Sequence, residues 1–464
     1  MKIEIQQLGV IEQAEFELGD MTIICGSNNT GKTYATHATY GFFDYLRSNS
    51  EFPVEKNTLE KLFNEGTIRI PLYSYMENLP KYLNDIAKKY SERLFHVFAG
   101  NEKKFENARL NITLDNVGKF TPAAVDIRLG SAEKSVLHIK SSDNKEELEV
   151  SLIVDKTKDE IPPIHIVRKM VSDSIGTAIL DGIIPKTFLA SAERTGAAIF
   201  QKELDFTRNR LVELLGDKSS KLHPIQFLGK FSGEYPVAVR KNVDFIRDIP
   251  NITNKDSFIF KNHPEILQAF QNIIGGEYVV TKNGEILYIP AANKRVKLTL
   301  VESSSAVRSL LDIGFYLRYV AQPGEMLMVD EPELNLHPEN QRLIARLFSR
   351  LVNIGIRVFI TTHSDYIIKE LNTLIMLNND KPYLKQIMKQ ECYDELELIS
   401  VDKIKVYIAK SDLVVKKGNK KRTTCMTLVP ADIDHELGIE AKSFDMTIDD
   451  MNRIQEAIVW GEDA

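Results

Sequence analysis

Along residues 2–25 apolar and polar side chains alternate. KIEIQQLG and AEFEL repeat at period two and predict strands, and MTIIC is a short buried run. A glycine loop follows, then a helix from about Gly31 to Leu46. Residues 51–100 carry helical periodicity, as in LPKYLNDIAKKYSERLFHVF, and predict amphipathic helices. From 108 to 155 the period-two pattern returns in ARLNITLD, AVDIRLG, SVLHIKSS and LEVSLIVD, which read as strands. TFLASAERTG (187–196) predicts a buried strand leading into a helix at about 197–215. Residues 256–275 predict helix, and EYVVTKNGEILYIP (277–290) predicts a hairpin turning at Asn283-Gly284. A helix over 305–321 follows VESSS. EMLMVDE and IRVFITTH then read as buried strands, PENQRLIARLFSRLVNIG and DYIIKELNTL as amphipathic helices. That βαβα order implies a parallel sheet with right-handed crossovers.

The chain has 464 residues, enough for two or three structural units. Hydrophobic content of 43% and charged content of 27% match soluble globular proteins. A net charge of −6 excludes a basic surface over the whole protein and leaves a local basic patch open. Three cysteines, Cys25, Cys392 and Cys425, form no CxxC pair. That argues against a disulfide framework and a zinc site, and fits a reducing cytoplasm. MKIEIQQLGVIEQAEF is not a signal peptide, and no window offers about twenty uninterrupted apolar residues, so no membrane is expected. There are no repeats and no sustained heptads.

The candidate chemistry begins at GSNNTGKT (26–33), which fits G-x-x-x-x-G-K-[ST] between an apolar strand and a helix. Gly26 and Gly31 let the loop wrap closely. Backbone N–H groups of Gly26, Ser27, Asn28, Asn29, Thr30, Gly31, Lys32 and Thr33 can then point at the phosphates of ATP. The helix N-terminus behind the loop adds positive potential. Lys32 supplies a point charge for the β and γ phosphates, and Thr33 is a candidate Mg2+ ligand. An accidental glycine turn is the plain alternative; the flanking strand and helix weigh against it.

MLMVDEPELNLHPENQ (326–341) places Asp330 and Glu331 after four apolar residues. An Asp at the carboxyl end of a buried strand can reach Mg2+ beside the phosphate loop. Glu331 can then orient or deprotonate the attacking water. The alternative is a solvent-exposed carboxylate pair, whose mutual repulsion a cation would relieve. Glu333 reads as a surface or interface acid. In VFITTHSD (358–365), His363 lies just past another buried strand, where it can contact the γ-phosphate or the water. A His satisfied at a helix N-cap by Ser364 or Asp365 is the alternative.

In this order, phosphate loop, serine-led helix, apolar-Asp-Glu and strand-His, the chain resembles the ATP-binding-cassette ATPases. NNTGKT, DEPELNLHPENQ and TTHSDYIIKELN resemble the non-transporter branch of RecF-like, SMC-like and OLD-like heads. The likeness is greatest to the OLD-like ATPases of bacterial anti-phage systems such as PARIS and Septu. It covers roughly residues 1–45 and 185–380. It implies an α/β fold: an ABC-type P-loop ATPase head with a mixed sheet, an inserted α+β segment and a helical subdomain. The expected division is 1–45 for the first part of the head and 46–185 for the insertion. Then come 186–300 for the return strand and helical subdomain, 301–380 for the rest of the head, and 381–464 for a C-terminal α/β cap.

The resemblance also implies a homo-oligomer in which two heads sandwich two nucleotides. The signature segment of one head meets the γ-phosphate held by the other. Its matching residues here are Ser303, Ser304 and Ser305, with no glycine following. Their hydroxyls and the free N–H groups of a first helical turn can bind phosphate oxygens. LNLHP matches the segment along the dimer seam, which makes Asn335 and His337 candidates for contacts between heads or, alternatively, helix caps before Pro338. No glutamine of the kind that links Mg2+ to the inserted domain is evident. Glu193 and Arg194 sit at the comparable place, as nucleotide-sensing residues or as a buried ion pair.

DLVVKKGNKKRTTCMTLV (412–429) predicts a hairpin with a basic tip of Lys416, Lys417, Lys420, Lys421 and Arg422. It reads as a contact for DNA phosphates or an acidic partner, or as a solvated turn. DID (432–434) hints at an acidic metal pair. No Toprim-like or HNH-like set is visible, so a nuclease effector is expected on a separate protein. The expected function is a slow ATP-hydrolysing switch of anti-phage defence in the cytoplasm, triggered by a phage protein or DNA. The competing class is a DNA-repair or chromosome ATPase acting directly on DNA; its basic groove and coiled-coil arm are not visible. A transporter subunit and a P-loop kinase rank below both.

Overall fold

The computed structural model describes residues 1–114, 121–130, 135–153, 162–200, 235–415, 421–440 and 442–460. Within them the chain forms two compact units, each built from separated pieces of sequence. One unit takes Met1–Ile3, Gly41–Glu92 and Leu110–Thr187; the other takes Glu4–Tyr40, Arg93–Arg109 and the chain from Phe188 onward.

The second unit is organised by a sheet that has six strands among the described residues. They are β1 (Met21–Cys25), β2 (Thr187–Ala190), β3 (Met326–Asp330), β4 (Arg357–Thr362), β5 (Ile404–Val415) and β6 (Arg422–Pro430). Their order is β6-β5-β1-β4-β3-β2. β5, β1, β4 and β3 pair in parallel, while β6 is antiparallel to β5. The fold is therefore α/β with a mixed sheet. Every residue of MTIIC and MLMVD is buried, as continuous apolar runs demand when helices cover both faces. The register aligns Asp330 with Thr361 and Cys25 with Thr362, so three parallel strands end at one rim. In open α/β sheets that rim is where ligands bind.

Three helices flank this sheet: α1 (Lys32–Asn49), α2 (Pro338–Asn353) and α3 (Asp365–Leu377). α2 starts at Pro338, whose missing N–H costs nothing there, and buries Ile344, Leu347, Phe348 and Leu351. Ser364 caps α3 by accepting from Ile367 N. Pocket-forming residues of the helical region include Phe270, Tyr278 and Phe315, on Pro264–Ile274, the strand Gly276–Val280 and Leu311–Phe315.

In the first unit an antiparallel sheet runs in the order Thr67–Pro71, Glu147–Leu152, Ser135–Ser141, Asp126–Gly130. Helices Leu79–Ser91 and Ile164–Leu180 belong to the same unit. Arg47 forms an ion pair with Asp181 at 2.5 Å.

Local differences from the sequence pattern have local causes. The stretch 51–100 is not helical throughout. Gly66, with φ +81°, ends helix Lys56–Glu65, and TIRIP then alternates as a strand that buries Ile68 and Ile70. The helix expected over 305–321 is broken into Ser305–Ser309, Leu311–Phe315 and a π-helical turn, Tyr316–Val320. Gly314 marks the closest packing there, since a Cβ would lie 2.7 Å from the Phe270 ring. Helix 256–275 divides before Pro264, giving Phe258–Asn262 and Pro264–Ile274. The hairpin turning at Asn283-Gly284 forms as expected. Residues 194–200 are helical; the rest of the helix expected to 215 lies outside the described residues, as do Lys416, Lys417 and Lys420. β5 and β6 extend the central sheet, and Lys421 and Arg422 are exposed where the hairpin re-enters. No helix among the described residues is long and apolar enough to cross a membrane.

Candidate functional site

Gly26–Thr33 leaves β1 at the rim and enters α1. Gly26 and Gly31 take φ of +143° and +95°. A Cβ on Gly26 would lie 2.7 Å from the Ala409 carbonyl oxygen, and one on Gly31 would lie 2.6 Å from Ile11. Glycine is required at both positions for conformation and for space. Asn29 also adopts a left-handed φ of +63°. Ser27, Asn28 and Asn29 are exposed, so the outer loop faces solvent. Thr30 Oγ1 donates to Ser27 O at 2.8 Å and pins the turn. Lys32 is buried and folded back, donating through Nζ to Gly26 O at 2.9 Å and Ser27 O at 2.8 Å. Burial lowers its pKa, while the carboxylates of Glu331, Asp330 and Glu333 act in the opposite direction.

Asp330 ends β3 and is fully buried. Thr361 Oγ1 donates to its Oδ1, and His37 Nε2 stands 3.6 Å from Oδ2. Burial alone would raise its pKa. His37 and the hydroxyls of Thr361 and Thr33 outweigh that and hold the carboxyl below its usual value. Oδ2 nonetheless has no hydrogen-bond partner. A buried carboxylate oxygen without a hydrogen bond, on a carboxyl that the Thr33 hydroxyl helps to keep ionised, fits a divalent cation, for which hard oxygen donors are the right class. Among the described residues no three His, Cys, Asp or Glu side chains form a metal cage. A Mg2+ ion shared with phosphates needs none.

Glu331 takes a left-handed φ of +51°, and its N–H donates to Thr361 O at 3.1 Å. Such a backbone in a non-glycine residue persists only where its surroundings fix it. Its carboxyl is 23% exposed. Burial raises its pKa, repulsion from Asp330 adds to the rise, and His363 and Lys32 oppose it. That is the direction a proton acceptor needs. His363 is 40% exposed, with Nδ1 at 3.1 Å from Glu333 Oε1 and 3.7 Å from Glu331 Oε1. Glu333, expected as a surface or interface acid, does not lie on the surface. It is buried, and accepts from Thr362 Oγ1 at 2.9 Å and His363 N at 2.7 Å.

A protein-family profile described as AAA ATPase domain matches residues 1–368. The chain belongs to the AAA ATPase domain family. No curated protein matches it. Among solved structures it is similar to an SmcHead bound to the C-winged helix domain of ScpA, at 12% identity and a TM-score of 0.33, covering 92% of this chain and 97% of that one. It is also similar to an SMC head domain from Thermotoga maritima, at 11% identity and a TM-score of 0.29, covering 93% and 98%. A third, an Smc head domain with an extended coiled coil bound to the C-terminal domain of ScpA derived from Pyrococcus furiosus, shows 10% identity and a TM-score of 0.28, covering 97% and 98%.

In this AAA ATPase chain the serine segment is set differently from the loop. Ser303 is buried and donates to Thr299 O at 2.7 Å, so its hydroxyl is turned away from solvent. Ser304 is exposed and caps Ser305–Ser309 by accepting from Val307 N at 3.3 Å. Ser305 is exposed at the first helical position. The hydrogen-bond partners of Ser303 and Ser304 lie within their own turn, not in Gly26–Thr33. Asn335 is exposed with φ +62°, and His337 caps α2 by accepting from Glu339 N at 3.4 Å. Asp434 of the DID stretch accepts from Glu436 N and Leu437 N, which closes a turn.

Two site residues had a weak signal in the sequence. His37 follows Thr33 by one helical turn, so both lie on one face of α1. Arg194 was legible as a charge after a buried strand, but its task was not. It is fully buried and donates to four backbone carbonyls, so it is closed to phosphate, while Glu193 is exposed.

Proposed function

We propose that this chain is a cytoplasmic Mg2+-dependent ATPase that hydrolyses ATP slowly at the rim formed by Gly26–Thr33, Asp330 and Glu331. The observation that supports this best is the loop geometry: Gly26 and Gly31 at positive φ, Lys32 buried against the loop carbonyls, and the register that ends β1, β4 and β3 at one rim with Asp330. In this reading the amides of Gly26–Thr33 take the phosphate oxygens, and Lys32 Nζ exchanges the carbonyls of Gly26 and Ser27 for them. Mg2+ held by Thr33 and Asp330 would neutralise charge on the β and γ phosphates. Glu331 accepts the proton of the attacking water. Glu333 holds His363 through Nδ1, which leaves Nε2 for the substrate side.

The wider reading is a nucleotide-dependent switch. Two copies close over two nucleotides, with Ser303–Ser305 of one copy against the γ-phosphate of the other. Closure holds or releases a separate nuclease effector in anti-phage defence, with a phage protein or DNA as trigger. Support for it is the likeness of NNTGKT, DEPELNLHPENQ and TTHSDYIIKELN to OLD-like ATPases. Phosphate release from ATP tests the first part. Wild type should turn over, and Glu331→Gln should keep ATP binding while losing roughly 100-fold or more in turnover. Equal turnover in both proteins would refute the assignment of the base. A pull-down from cells that retrieves a nuclease supports the switch. Salt-dependent binding of DNA by the chain alone, without such a partner, would favour an ATPase acting directly on DNA.

A further inference from the structure

Arg194 is among the largest fully buried side chains of the molecule. Its guanidinium donates from Nε to Ser309 O at 2.6 Å, from Nη1 to Ser191 O at 2.8 Å and Asp330 O at 2.7 Å, and from Nη2 to Glu331 O at 2.9 Å. Three pieces of chain thus meet on one planar fork: the end of β2, the short helix behind the serine segment, and the end of β3. Asp312, one helical segment further on, is also fully buried and attracts the cation. Neither of its carboxyl oxygens has a hydrogen-bond partner. Asp312 therefore balances charge, whereas the directional bonds of Arg194 all go to backbone carbonyls.

Arg194 bears directly on Glu331. The Glu331 N–H is held by Thr361 O, and its carbonyl is held by Arg194. Its left-handed backbone is clamped on both sides. A second tie runs in parallel, from Ser309 Oγ to Leu334 O at 3.2 Å. The helix Ser305–Ser309 is thereby fastened to Asp330, Glu331 and Leu334, all in the segment that would carry the base.

We infer that Arg194 is a positioning residue that locks the backbone of Glu331 to the helix behind Ser303–Ser305, so that the setting of this helix and the setting of the base change together. This rests on the ATPase reading for its catalytic consequence, but the mechanical link stands on geometry alone. Lysine cannot replace the fork, because one ammonium cannot span carbonyls from three segments.

The test uses the full chain with Arg194→Lys and Asp312→Asn. Arg194→Lys should lower kcat by about tenfold or more while the ATP dissociation constant stays within about threefold. Amide exchange at Glu331 should speed up by about tenfold or more, with Ile24 in the sheet core unchanged. Asp312→Asn leaves the carbonyl bonds in place and should keep kcat within about threefold. Wild-type kcat in Arg194→Lys, or unaltered exchange at Glu331, would overturn the inference. Should wild type hydrolyse no ATP, the ATPase reading fails, and exchange at Glu331 still decides the link. Should Arg194→Lys not fold, exchange in the unaltered protein decides: the Leu310 and Glu331 amides should open as one unit along a denaturant series, and separate openings would refute the link.

Discussion

Gly26–Thr33 and Val301–Ser305 are both polar turns leading into helices, and both have the composition of a phosphate contact. They differ in what is already satisfied. At the first, two glycines hold positive φ, the outer residues face solvent, and an 18-residue helix stands behind. At the second, Ser303 bonds its own turn, Ser304 caps its own helix, and that helix has five residues. The first is preorganised for an anion by backbone conformation, and only the Lys32 ammonium has to leave the carbonyls of Gly26 and Ser27. At the second, Ser303 must give up an internal bond before its hydroxyl can donate elsewhere. Ser304 and Ser305 present exposed hydroxyls at a five-residue helix with no glycine to shape the turn. Glycine spacing therefore carries more information about phosphate binding than serine content does.

The largest way to break this comparison is at the glycine. Gly31→Val sets a β-branched side chain at φ +95° with its Cβ 2.6 Å from Ile11. It should weaken ATP binding by roughly 100-fold and cost on the order of 1–3 kcal/mol of stability. An ATP titration and a thermal melt check both. Near-wild-type affinity would mean that loop conformation is not what binds.

Next comes the serine side. Ser304→Arg places a long cation where two copies would meet. ATP binding should be unchanged, while turnover and nucleotide-dependent dimerisation should fall by about tenfold or more. Light scattering and phosphate release read the two. If turnover survives, Ser304 is an ordinary cap, and only its loss, worth about 1 kcal/mol, remains to be seen.

The third effect is smaller and concerns the pair behind the serine helix. Burial pushes the Asp312 carboxyl from 3.8 up to about 7, and the Arg194 cation limits the rise. The buried groups facing it are Arg194 and Tyr278. Because the folded pKa lies above the unfolded one, this contribution to stability is full below about pH 4. It is lost as pH rises to about 7, at roughly 1–4 kcal/mol. Asp312→Asn should flatten the stability profile across that window. Asp330 acts with the opposite sign, since its pKa is depressed, and its contribution is lost on acidification below its usual value. Identical melts of wild type and Asp312→Asn at pH 5 and pH 8 would show that Asp312 does not titrate in this range.

Much of the core was legible in the chain. MTIIC, MLMVD and RVFITT announce themselves because continuous apolar runs ending in glycine, carboxylate or histidine fit buried parallel strands. The loop was legible because its glycines are required one by one. What the pattern hid was of two kinds. TIRIP was absorbed into a helical stretch because five residues are too few to assert their own period beside long helices. The partners of Asp330 and Glu331 were hidden because they are long-range. Thr361, His37 and Arg194 meet the end of β3 only through the sheet register and the packing of α1, and no local spacing encodes that. Glu333 misled for a related reason: an acid in a loop looks solvated until a neighbouring strand supplies donors.

Gly26–Thr33 is expected to bind ATP through a preorganised loop with Lys32 as its cation. Equilibrium titration of the purified chain with Mg2+ and ATP, wild type beside Lys32→Ala, tests it most directly. Saturable binding by wild type, weakened by roughly 100-fold or more in Lys32→Ala while both proteins melt cooperatively, is the expected result. Equal affinity in the two folded proteins, or no binding by wild type, would contradict it.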